Sequence, residues 1–83
     1  MHNYYVYILR SIKFPDQIYI GYTTNPRKRL KKHNAGESKH ARKFRSWKIE
    51  ICIAFSSKEL ALKFEKYLKT GSGKAFMKKR LIE

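Results

Sequence analysis

An α+β fold, with elements in the order β-β-α-β-α-α, is predicted by three observations on this 83-residue chain. Two strand segments rich in tyrosine lie on either side of a short proline-containing loop. A capped helix follows at Asn25-Pro26. A second clean alternation, from Trp47 to Phe55, then precedes a helical apolar stripe. A single domain over residues 1–83 suits the length, which allows one small core and leaves no room for a separate recognition domain.

Asn3 to Arg10 reads as the first strand. Tyr5, Tyr7 and Leu9 share one side and Tyr4, Val6 and Ile8 the other, so both faces are largely apolar, as in a central strand covered on both faces. Ser11 to Asp16, with Pro15, forms a loop, and Gln17 to Tyr22 returns antiparallel. A hairpin closing symmetrically about Lys13 sets Tyr7 opposite Tyr19 and Tyr5 opposite Gly21, all on one face.

Asn25 is placed to cap the free N–H groups of a first helix, and Pro26 stands where its missing donor costs nothing. Arg29 and His33 then project one turn apart from one face, and Asn34-Ala35-Gly36 stops the helix. Glu37 to Ser46 reads as a basic connection without periodicity. Along Trp47 to Phe55, the large side chains Trp47, Ile49, Ile51, Ile53 and Phe55 are expected on the core side. Ser56 and Glu59 suggest a capping box, after which Leu60, Ala61, Phe64, Tyr67 and Leu68 form an apolar stripe ended by Gly71. Glu65 falls about 40° beyond Ala61 on that helix, at the stripe's border. Ser72 and Gly73 lead into a last helix, Lys74 to Leu81.

Lysine and arginine number 20 against six acids, a formal charge of +14 and a pI near 10.2, which calls for an anionic partner, nucleic acid first. Hydrophobic residues at 42% and aromatics at 14% exclude a disordered basic tail. No apolar run approaches the roughly 20 residues needed to span a bilayer, so no membrane role is expected. Cys52, the single cysteine, makes no intrachain disulfide, and the N-terminus lacks a secretory pattern; a cytoplasmic protein is expected. His2, His40 and Cys52 have no tetrahedral metal spacing and are read as non-ligands.

Tyr5-Val6-Tyr7, then Tyr19-Ile20-Gly21, then Arg29, His33 and a later helical Glu65 together resemble the GIY-YIG nuclease superfamily, specifically its small single-domain bacterial members. The resemblance runs from Tyr4 to Leu81. It implies a three-stranded antiparallel sheet with the first strand central, flanked by helices, and divalent-metal-dependent cleavage of nucleic-acid phosphodiesters. By motif position Tyr7, Tyr19, Arg29, His33 and Glu65 are the implied catalytic set, with Glu65 the metal-binding glutamate. Tyr5 stands where the family name has glycine. Asparagine occurs only at positions 3, 25 and 34, so the supporting asparagine that several members carry after the glutamate has no counterpart.

The same residues suit phosphodiester hydrolysis, which needs an activated water and neutralisation of charge on the phosphate. Arg29 can fork two donors onto phosphate oxygens. Glu65 can hold Mg²⁺ or Mn²⁺ with water and substrate oxygens completing the shell. Tyr7, Tyr19 and His33 all qualify as the group that orients or deprotonates water, a tyrosine base needing a nearby cation because its ordinary pKa is about 10. Lys39, Arg42, Lys43, Arg45 and Lys74 are the expected phosphate contacts, which position DNA without reading its sequence. No small-molecule cofactor is expected, and the oligomeric state is left open. The expected activity is therefore endonucleolytic, with little sequence specificity, on DNA that includes structured or repair intermediates. The alternative is a non-catalytic basic module that binds DNA or RNA through stacked tyrosines and lysines.

Overall fold

The computed structural model describes residues 3–82, so the expectation for His2 lies outside the described residues. The elements are β1 (Tyr4–Ser11), β2 (Ile18–Thr23), α1 (Pro26–Asn34), α2 (Lys39–Lys43), β3 (Trp47–Phe55), α3 (Lys58–Leu68) and α4 (Gly71–Phe76), closed by a π-helical turn, Met77–Leu81. The sheet has the order β2-β1-β3 with both pairings antiparallel, so the first strand is central.

Alternation along β1 builds two cores, one on each face of the sheet. Val6 and Ile8 pack with Ile20, Ala61, Leu68, Met77 and Ile82 beneath α3 and α4. Tyr7 and Leu9 pack with Trp47, Tyr19, Leu30, Phe44 and Ile49 beneath α1 and the segment after α2. Each buried Leu or Ile side chain contributes about 1.5–3 kcal/mol, so both faces hold β1 in place.

Hairpin closure differs from expectation by two residues. Tyr7 pairs with Gly21 and Leu9 with Tyr19. The turn is set by Ser11, which a simple centre at Lys13 ignores: its hydroxyl accepts from the Phe14 N–H at 3.1 Å and donates to the Phe44 carbonyl at 2.6 Å. Because the shift is even, every side chain keeps its face.

β3 departs more deeply. Ile8 pairs with Ile51 but Leu9 with Ile49, so Glu50 is an extra residue, a bulge that turns the strand over. Trp47 and Ile49 therefore join the tyrosine face while Ile51 and Phe55 join the aliphatic face, and no single core side receives them all.

Three boundaries also move. The basic connection contains a short helix, α2, capped by Ser38, whose hydroxyl accepts from the Ala41 N–H. The cap of α3 is Ser57 and not Ser56, its hydroxyl accepting from Leu60 N–H. Gly71 does not end a helix but opens α4, with Thr70 as the cap. Gly73 is required there, since a Cβ would overlap the Tyr67 carbonyl.

Candidate active site

α1 begins as the sequence predicts. Asn25 has extended backbone and its side chain accepts from Lys28 N–H at 3.1 Å, with Pro26 in the first turn. The helix is closed by Gly36 at φ +78°, a left-handed conformation that glycine adopts without strain. Asn34 then fastens α1 to β3 twice: its carboxamide accepts from Trp47 N–H at 2.6 Å and donates to Trp47 C=O at 3.1 Å. The Trp47 indole donates to the Ala41 carbonyl at 2.9 Å, tying in α2.

These attachments hold His33 among rings. Its imidazole lies 4.3 Å, centroid to centroid, from Tyr19, 6.4 Å from Tyr7 and 6.1 Å from Trp47, each contact edge-on. Tyr7 and Tyr19 stack at 6.2 Å as diagonal neighbours across β1 and β2. Gly21, directly opposite Tyr7, accommodates this packing: a Cβ there would overlap the Tyr7 hydroxyl and lie 3.0 Å from Tyr19 Cε1. The space left by the glycine is filled by phenol.

Electrostatics distinguishes the ring groups. Burial raises the Tyr7 phenol well above the usual tyrosine range; Tyr19 and Glu65 reinforce the shift and Arg29 opposes it. Tyr7 is therefore a neutral donor at neutral pH. Burial lowers the His33 pKa, opposed by the Arg29 backbone carbonyl, which accepts from the imidazole, and reinforced by the Arg29 charge. His33 is accordingly neutral at pH 7 and able to accept a proton.

Arg29 is half-buried on α1 and lines a cleft of about 190 Å³ with Thr23, Thr24, Asn25, Lys28 and Lys32. Glu65 comes from α3, on the other face of the sheet, and its side chain is 19% exposed in an ion pair of 2.7 Å with Lys69. The two faces meet at β2, an edge strand: Tyr19 belongs to the ring cluster and also lines an open cleft of about 440 Å³ with Ile18, Lys69, Lys74 and Lys78.

The expected phosphate contacts fall into two groups. Lys39, Arg42 and Lys43 are exposed on α2 with Arg45 just beyond. Lys74 is apart from them, in the cleft with Tyr19. Sequence reading missed Trp47, the wall behind His33, and the cleft lysines Lys69 and Lys78. Only overall charge hinted at the lysines. Among the described residues, no three His, Cys, Asp or Glu side chains cluster as a metal site, and no helix is long and apolar enough to cross a membrane.

Paired tyrosines on adjacent strands, an arginine and histidine on the following helix and a glutamate on a later one define a domain of the GIY-YIG type. Residues 3–80 match the GIY-YIG catalytic domain, and the chain belongs to that family. Among curated proteins it is 44% identical over 70 residues to the structure-specific endonuclease subunit SLX1 of Debaryomyces hansenii, covering 75% of this chain and 20% of that protein. It is 41% identical over 68 residues to the protein of the same description from Talaromyces marneffei, covering 75% and 18%. The chain thus spans about a fifth of the length of these relatives. Among solved structures, the solution structure of the UPF0213 protein BH0048 from Bacillus halodurans matches with a TM-score of 0.55 and 33% identity, over 95% of this chain and 84% of that one.

Proposed function

We propose that this domain is an endonuclease that hydrolyses DNA phosphodiester bonds with little sequence specificity, with structured DNA among its substrates. The observation that carries the reading is the ring cluster of Tyr7, Tyr19 and His33, with Arg29 one turn before His33 on α1. Family membership and relatives described as structure-specific endonuclease subunits support it.

In this reading the Arg29 guanidinium binds the scissile phosphate and offsets charge as it builds in the transition state. His33, held neutral by burial, accepts the proton of the attacking water. Tyr7, held protonated, donates a hydrogen bond that orients water or a phosphate oxygen. Tyr19, at the rim of the cleft, is the phenol closer to substrate.

The donor set suits a hard divalent cation. Glu65 is a lone, partly exposed carboxylate, and a cation such as Mg²⁺ or Mn²⁺ takes the rest of its shell from water and substrate oxygens. When bound, that ion supplies charge neutralisation at the phosphate and a more acidic water. Lys69 must yield the carboxylate first. The 2.7 Å pair favours the second reading, a non-catalytic nucleic-acid-binding module, because it satisfies Glu65 without a metal.

Cleavage of plasmid and branched DNA with Mg²⁺ or Mn²⁺ against chelator, for wild type, Glu65→Gln and Arg29→Ala, tests the proposal. Metal-dependent nicking lost in both variants is the expected result. DNA binding without cleavage above the Glu65→Gln background selects the binding module.

A further inference from the structure

The tip of the β1–β2 hairpin plays no part in the chemistry above, yet it carries two large apolar side chains in water. Ile12 is 57% exposed and Phe14 47% exposed, with Lys13 between them. Single exposed apolar residues are ordinary, but this pair is held by the protein. The Ile12 N–H donates to the Ser46 carbonyl at 2.8 Å, the Phe14 N–H to the Ser11 hydroxyl, and Gln17 N–H to the Phe14 carbonyl at 2.8 Å. An Arg10 guanidinium N–H donates to the Pro15 carbonyl at 2.7 Å, bracing the far side.

The Phe14 ring stands edge-on to Phe44 at 5.3 Å, and the Lys43 ammonium lies 5.3 Å from the Phe44 ring centroid. From there rings succeed one another through His40 and Trp47 to His33 and Tyr19. The tip therefore shares a sheet face with the ring cluster and is joined to it by α2, whose exposed Lys39, Arg42 and Lys43 face solvent beside the row. Asp16 is the one acid in the loop, next to the braced Pro15.

An apolar tip among cations fits DNA only where base faces are open, since phosphates and paired groove edges offer it no apolar surface. We propose that Ile12 and Phe14 form a wedge that inserts against unstacked bases at a branch or opened step, while Lys13, Lys43 and their α2 neighbours hold the flanking phosphates. This rests on the DNA reading above and adds a means of choosing distorted DNA over intact duplex, independent of the reacting groups.

The test uses the full chain in chelator, so that no cleavage intervenes, with 2-aminopurine placed at the branch of a flap DNA and in a matched duplex. Wild type is expected to raise the branch fluorescence. Ile12→Ser/Phe14→Ser should remove that rise and weaken flap binding about tenfold, with duplex affinity held within twofold. Phe14→Trp should restore the rise, which a misfolded tip would not allow. If the double variant keeps both the fluorescence rise and the flap preference, the wedge is overturned, and a contact with another protein becomes the use of the tip. If wild type binds neither DNA, the DNA reading itself fails and takes the wedge with it.

Discussion

The two faces of this small sheet are built from different chemistry. Beneath α3 and α4 every buried member of the cluster is aliphatic or methionine: Val6, Ile8, Ile20, Ala61, Leu68, Met77 and Ile82. Beneath α1 and α2 the buried members are Tyr7, Leu9 and Trp47, with Tyr19 packed on them and buried His33 in ring contact. Both faces exclude water from β1, but only the second fully buries a phenol, an indole and an imidazole, whereas the tyrosines packed on the first, Tyr4 and Tyr22, are only half-buried. In the proposed reaction the aliphatic side supplies cohesion and the ring side most of the reacting groups, with Glu65 contributed by α3 on the opposite face.

The largest effect should come from the chemical side. Arg29→Ala is expected to lower cleavage by about 10²–10³-fold while leaving DNA binding within a few-fold, measured as single-turnover nicking beside a binding titration. A parallel loss of binding would make Arg29 an anchor and erase the division. On the cohesive side, Leu68→Ala empties a site with no exposure and should cost about 2–5 kcal/mol in urea unfolding.

Gly21→Ala sharpens the contrast, because it adds one methyl where the Tyr7 hydroxyl already lies. It should cost about 1–3 kcal/mol and lower cleavage more than binding, by displacing the phenol. Trp47→Phe removes the indole bond to Ala41 and should cost about 1 kcal/mol of stability.

The smallest expected effect is a pH slope. Burial makes folded His33 bind its proton less readily than the unfolded chain does. Its neutral form is therefore accommodated in full above the ordinary histidine pKa of about 6.5, and stability falls as pH drops from there through the folded value. His33→Gln should flatten that part of a stability-against-pH curve. An unchanged slope would assign the acid sensitivity to other groups.

The faces also differ in how well the sequence foretells them. Strict alternation in Tyr4 to Arg10 sets which β1 residues share a side, and the Asn25-Pro26 start sets the register that pairs Arg29 with His33. Those depend on neighbours in the chain. The hairpin register depended on Ser11 bonding to Phe44, far along the sequence, and so it was misplaced by two residues. α2 was missed because a five-residue helix with only Ala41 buried has no period to read. Tyr7 could be named as a site residue from its motif, but the upward shift of its phenol could not, since Trp47 and α1 are what bury it. Glu65 was placed correctly at the border of its helix stripe, while its engagement with Lys69 stood among several ordinary fates for a helical acid.

Glu50 gives β3 its double allegiance. Were Glu50 paired with Leu9 in an unbroken ladder, Ile49 would sit opposite Arg10 and Trp47 would swing to the aliphatic side, away from the Ala41 carbonyl and from His33. A strand that serves two opposite interiors depends on that one unpaired position to change sides. The irregularity between Ile49 and Ile51 is thus as much a part of the wall behind His33 as Trp47 itself.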